Sequence, residues 1–269
     1  MDNIPIIFDR DKVKKFRNRA AKNISEHDFL INEVSNRILQ SLDAIRGGYE
    51  NVLYIGYPCK IITEHFEKQK DTKLFVIQDI ALNMAAKYGG IKVVADEEKI
   101  PYADKSFDLV IANLVMHNVN DLPGTLVQLR RVLKNDGVFF ATIFGVDTLK
   151  ELRNVLLELE SEITGGSSPR IFPFTDVKTM GSLMHRAGFS EPVADFDNIR
   201  VEYDNAFELM YDIRGMGESN SLIKSGKTLN KRVLQYLNER YGEKFPDSGQ
   251  GIVATFNIIN ITGLAAFGV

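Results

Sequence analysis

Hydrophobic and polar positions along this chain switch between two periods, and the switches mark its elements. Residues 51–55 form a short apolar run closed by Gly56, as a buried strand would be; behind it Ile61, Ile62, His65 and Phe66 recur at helical spacing to about Lys68. Further strands are predicted over 73–78, 91–95, 107–113 and 138–144. Helices are predicted over 80–88, stopped by Gly89 and Gly90, and over 121–134, with Leu122, Leu126, Leu129 and Leu133 as the inner stripe. Asn135, Asp136 and Gly137 turn the chain into the fifth strand. Strands alternating with helices at this interval predict an α/β fold with a doubly wound parallel sheet.

Two helices precede the first strand. Residues 12–22 carry Val13, Phe16 and Ala20 on one side of a basic segment, which reads as a solvated helix. A second helix starts near Ser25, where Ser25 and Asp28 stand at capping-box spacing, and turns Leu30, Val34, Ile38 and Leu42 inward. Residues 1–48 are therefore expected to cap a domain spanning 49–269, the two forming one globular unit. Beyond the fifth strand the pattern gives helices over 147–163, from Thr175 to about Ala187, over 206–213 and over 229–241. It also gives strands over 193–203 and 252–264, and a polar, glycine-containing loop over 214–221.

Composition narrows the function without naming it. A hydrophobic fraction of 44% and a charged fraction of 26% are those of an ordinary globular protein. The net charge of -3 offers no electrostatic case for nucleic acid as the partner. One Cys excludes an intramolecular disulfide and fits a reducing compartment, and a bacterial cytoplasm is the expected location. No apolar run is long enough to span a membrane, which leaves only peripheral proximity to one.

The candidate chemistry lies where the first strands end, the edge at which open α/β sheets bind ligands. Gly56 opens a strand-to-helix turn, and a helix N-terminus there would face an anionic ligand. Asp79 follows Gly56 by roughly 20 positions, the distance at which a carboxylate meets a ribose hydroxyl. Asp96, with Glu97 beside it, closes the third strand, where a carboxylate could accept from an adenine amine, and Asn113 closes the fourth. An adenosine pocket at these positions is the better reading; the plain alternative is that the acids are solvated helix caps.

These residues resemble the class I S-adenosylmethionine (SAM)-dependent methyltransferases of the methyltransferase-11 type. Ala95-Asp96-Glu97-Glu98 with Ile100-Pro101-Tyr102, then Ser106-Phe107-Asp108-Leu109-Val110 and Leu133-Lys134-Asn135-Asp136-Gly137, carry that likeness. Three stretches resemble, more narrowly, the respiratory complex I assembly-factor homologues, the protein arginine hydroxylase branch. They are Phe144-Gly145-x-Asp147-Thr148-Leu149-x-Glu151-Leu152-Arg153, Ser168-Pro169-x-x-x-Pro173-Phe174-Thr175, and Phe207-Glu208-Leu209-Met210 through Gly215-Met216-Gly217-Glu218-Ser219-Asn220. The resemblance implies a Rossmann-like sheet in the order 3-2-1-4-5-7-6 with an antiparallel last strand, supplied by 252–264. It implies a SAM cofactor held by Gly56, Tyr57, Asp79, Ile80, Asp96, Glu97 and Asn113, and a protein substrate, a subunit of respiratory complex I (the NADH dehydrogenase). His117, Asp147 and Arg153 would face that substrate as the catalytic candidates. No 2-His-1-carboxylate set stands out in the sequence, so no metal is assigned.

The chain departs from the family at the turn itself. Tyr54 stands where the family carries an acid, and Pro58 and Lys60 replace glycines, which puts the cofactor in question. Tyr57 could stack on the cofactor or plug its pocket; Lys60 could pair with a ligand carboxylate or point to water. Two other functions stay open: a malonyl-carrier-protein O-methyltransferase of biotin synthesis, and a cofactor-free assembly scaffold. Cys59 reads as a packed thiol, His117 as structural or catalytic, and Glu218 as a lining of the substrate entrance or a helix cap.

Overall fold

A computed structural model describes residues 5–45, 48–57, 59–226, 228–249 and 251–265. Seven strands form one sheet: β1 (Asn51–Gly56), β2 (Leu74–Asp79), β3 (Ile91–Val94), β4 (Phe107–Asn113), β5 (Leu133–Phe144), β6 (Phe189–Tyr203) and β7 (Ile252–Ala265). Their order is β3-β2-β1-β4-β5-β7-β6. The strands from β1 to β5 pair in parallel, and β7 runs antiparallel to both β5 and β6. This is the doubly wound, Rossmann-like topology anticipated from the sequence. The register matters for function: Gly56 lies opposite Asn113, and Asp79 opposite Val94, so four strand ends meet at one edge.

The central strands are apolar on both faces because helices cover both, and two buried clusters result. One face packs α2 (Phe29–Ala44), α3 (Lys60–Lys68) and α6 (Lys150–Thr164), with Leu30, Val34, Ile38 and Leu42 buried as their spacing predicts. The other packs α5 (Leu122–Val132) and α7 (Val177–Arg186). Asp121 caps α5 by accepting from the Gly124 amide at 2.8 Å, and Asp176 caps α7 by accepting from Thr179 at 2.9 Å. Helices α8 (Ala206–Met216) and α9 (Lys231–Lys244) complete the second half. Among the described residues no helix is long and apolar enough to cross a membrane.

Several local expectations change. The capping box at Ser25 does not form; a short 3-10 turn, Ile24–Glu26, intervenes, and α2 starts after Asp28 without a side-chain cap. The helix expected over 80–88 shrinks to α4 (Leu82–Ala85), because the chain stays extended at Ala81, whose amide donates to Asp79 at 2.7 Å. The turn at Asn135, Asp136 and Gly137 lies inside β5 as an irregularity; Asp136 takes φ +61° and the ladder with β4 shifts register there.

Helix α1 (Arg10–Ala20) departs most from expectation. It packs against α4 and α8 and lies over the strand ends. Lys14 and Lys15 do face solvent, as a solvated helix requires. Arg17, four positions after Val13 and three before Ala20, shares their inward face and is only 1% exposed. The segment before α1 is tied down too: Phe8 forms a bridge with Leu222, and the Asp9 amide donates to the Ser221 carbonyl at 2.9 Å.

Candidate functional site

The site grows from the turn after β1. Gly56 takes φ +111°, and a Cβ there would lie 2.3 Å from the Asn113 carbonyl oxygen, so the fourth strand's approach demands glycine. Tyr57 follows, buried. Beneath the turn the Tyr54 hydroxyl donates to the Tyr57 carbonyl and accepts from Asn113 Nδ2 at 3.0 Å. Asn113 also donates to Ser35 at 3.0 Å and accepts from Thr142 at 2.8 Å. Tyr54 thus braces the bend where the family places an acid. Burial pushes its phenol pKa up, so it stays a neutral hydrogen-bonding group.

The acids at the ends of β2 and β3 are held by the chain's own arginines. Asp79 is fully buried; Arg17 Nε reaches its two carboxylate oxygens at 3.2 and 3.1 Å, and Nη2 donates to it as well. The Arg17 guanidinium carbon lies 3.9 Å from the centre of the Tyr57 ring, a cation–π contact. Burial alone would lower the Arg17 pKa, but Asp79 and then Tyr57 raise it above its ordinary value. At the next strand end Arg10 donates to Asp96 at 2.8 and 3.2 Å, to Glu97, and to the backbone and side chain of Asn118 at 3.0 Å. Glu97 is pushed up to about 7 by burial, an effect that Arg10 only partly offsets.

Gly56, Tyr57, Asp79, Asp96, Glu97 and Asn113 therefore do converge, and Ile80 packs into the core beside them. As placed, however, they do not fit a nucleoside: the carboxylates that would take ribose and adenine groups already take guanidinium donors, and Asp79 has no exposed surface. The feature that sequence reading missed is Arg17. Its signal was a cation on the Val13–Ala20 stripe. Pro58 lies outside the described residues. Lys60 points to water, 3.5 Å from Glu64, and Cys59 is a buried thiol near Asn32.

A second cluster adjoins the first through Tyr57. The Tyr57 hydroxyl donates its one proton to Glu218 Oε1 at 2.6 Å and also lies against the Met216 carbonyl. Glu218 sits just past α8, where Gly217 (φ +86°) ends the helix and aims the following residue inward. Its other oxygen lies 2.9 Å from His117 Nε2. His117 is on the 3-10 turn Met116–Asn118 after β4, with ring centres of Phe144 and Phe174 at 4.8 and 5.9 Å. Burial would raise the Glu218 pKa, but His117, Tyr57 and Arg17 together hold it below the usual carboxylate range. A buried, ionised acid results.

That acid lines a cavity of about 590 Å³ whose walls include Phe144, Phe172, Phe174, Phe256 and Met210. A neighbouring groove of about 660 Å³ shares Phe172 and Phe174 and extends to Ile7, Val146 and Arg153. Arg153 donates to the Val146 carbonyl at 3.1 Å and the Thr148 carbonyl at 3.1 Å, which fixes it at the groove wall. Asp147, half-buried in the turn before α6, takes no part in the His117–Glu218 pair. Of the three catalytic candidates the structure brings only His117 to the buried acid.

Comparison with known proteins agrees with this architecture. A methyltransferase-domain family model matches residues 56–141. The mouse protein named arginine-hydroxylase NDUFAF5, mitochondrial, is 39% identical over 96% of this chain and 77% of its own length. A malonyl-[acyl-carrier protein] O-methyltransferase of Gallionella capsiferriformans is 28% identical over 94% of this chain and 90% of its own. A solved structure of a Haemonchus contortus phosphoethanolamine N-methyltransferase, in complex with S-adenosylhomocysteine (SAH), superposes with a TM-score of 0.56 at 15% identity. It covers 94% of this chain and 60% of that one, and the likeness shows the fold. The bacterial cytoplasmic location expected from the composition is overturned by the mouse relative, which is a mitochondrial protein by name. A lone Cys argues against a disulfide framework and does not separate one reducing compartment from another.

Proposed function

This chain belongs to the family of the arginine hydroxylase NDUFAF5, and on that premise we propose that it modifies an arginine of a protein substrate, a subunit of respiratory complex I undergoing assembly. The observation that carries this reading is an ionised carboxylate, Glu218, on an aromatic-walled cavity. A guanidinium is planar, weakly hydrated and always charged, so it stacks on aromatic faces and pairs with a carboxylate by directed N–H bonds. Phe144, Phe172 and Phe174 supply such faces, and Glu218 supplies the acceptor. His117 and Tyr57 hold that acceptor in place from behind, leaving lone pairs for an incoming donor.

The acids expected to take a nucleoside are engaged by Arg10 and Arg17 instead. The chain's own contribution is to bind, orient and desolvate the target side chain. The reading is tested by mass spectrometry of complex I subunits from cells carrying the wild type or Glu218→Gln. An arginine bearing one added oxygen, lost in the variant, supports it. An added methyl group in its place would assign methyl transfer, an oxygen retained in the variant would remove Glu218 from the reaction, and unmodified subunits in both cells would leave only the scaffold role.

A further inference from the structure

Three acids at the β2 and β3 ends face a helix that carries two arginines toward them. Arg17 crosses to Asp79 from 62 positions earlier in the chain and is buried over Tyr57. Arg10, seven positions and about two turns earlier on the same face, spans Asp96, Glu97 and the Asn118 carbonyl. Surface lysines could have made α1 soluble without any of these contacts. The two guanidinium groups instead satisfy the acceptors that a ribose diol and an adenine amine would use in this fold.

We propose that α1 is an internal competitor for the nucleoside site: Arg17 and Arg10 occupy Asp79, Asp96 and Glu97, and SAM or SAH binds only conformers from which these arginines have withdrawn. The physical logic is a population tax. A ligand whose competent state is a small fraction of the ensemble has its apparent affinity reduced by that fraction. Removing the guanidinium charge while keeping its apolar bulk removes the competitor and leaves α1 able to pack. The aromatic ring of Tyr57, freed of its cation, then presents a face to the base instead of to Arg17.

Ligand affinity separates this from a purely structural role for the arginines. If Arg17 only braced the fold, its removal would weaken ligand binding or leave it unchanged. If it competes, removal strengthens binding even as it destabilises the free protein. The inference does not depend on which protein substrate the aromatic cavity takes, since SAH binding is read without any substrate present.

The test is calorimetric titration of SAH into the full-length wild type, Arg17→Met and Arg10→Met. Both variants are expected to bind SAH roughly tenfold or more tightly than the wild type. Adding Asp79→Asn to Arg17→Met is expected to abolish the gain. Arg10 is partly exposed, so Arg10→Met decides the matter if Arg17→Met does not fold without ligand. Wild-type affinity equal to or above that of the folded variants would overturn the proposal.

Discussion

The hydroxyl of Tyr57 and the carboxylate of Glu218 meet at 2.6 Å, joining the turn after β1 to the loop after α8. The cluster at the strand ends and the aromatic cavity thereby share a wall. On one side of it Tyr57 carries Arg17 on its ring; on the other Glu218 carries His117.

Glu218→Gln keeps the shape of the side chain and removes its charge. If the cavity takes an arginine, affinity for an arginine-containing subunit peptide should fall by about 2–5 kcal/mol, the usual cost of truncating one partner of a buried charge pair. Calorimetry with the peptide measures it. Unaltered affinity in a folded variant would remove Glu218 from substrate binding.

Breaking the buried pair should be severe. Arg17→Ala leaves Asp79 without its compensating charge and is expected to cost about 3–5 kcal/mol in denaturant unfolding. Arg17→Ala combined with Asp79→Ala should cost less than the two single changes added, because the pair acts as a unit. Strict additivity would mean that the ion pair contributes little.

Gly56 tolerates no side chain. Gly56→Ala must hold φ near +111° and fit a Cβ against the Asn113 carbonyl, so a loss of more than about 2 kcal/mol is expected, seen as a lowered Tm or insoluble protein. A variant as stable as the wild type would mean that β1 and β4 can separate at their ends.

Glu97 and Glu218 give opposite pH signatures. Glu97 titrates near 7 in the folded chain against 4.5 ordinarily, so between those values the folded form binds the extra proton and stability declines as pH rises. The effect is at most about 3 kcal/mol, and Glu97→Gln should flatten the Tm profile across that window. Glu218 is held below its ordinary value, so its contribution is present above that value and is lost as pH falls through the lower, folded one. Thermal unfolding of both glutamine variants from acid to neutral pH checks the signs. Matching slopes in the two would refute the assignment.

Much of the fold was legible because it rests on local periodicity and on turn residues that act where they stand. The apolar runs at 51–55, 107–113 and 138–144 are buried strands, and Gly56 is the tight bend it was read to be. Strand-end acids were legible for the same reason: Asp79, Asp96 and Glu97 fall where a parallel sheet must present them. Their partners were not. Whether an acid faces water, a ligand or an arginine depends on a helix 62 positions away for Asp79, and no periodicity reports that distance. Val13, Arg17 and Ala20 do share a helical face, but a basic segment ordinarily turns its charges outward, so composition spoke against the burial. Glu218 reads from the sequence equally as an entrance lining or a helix cap; only the αL ending of α8 at Gly217 shows why it points inward.

The bridge between Phe8 and Leu222, together with the Asp9–Ser221 bond, fastens the strand of chain leading into α1 directly to the loop that bears Glu218. An amino-terminal purification tag or a trimmed start that unravels this clasp would therefore disturb the acid in the aromatic cavity and release the arginine helix in one stroke. Preparations differing only in their first residues would then disagree in both peptide and nucleoside binding.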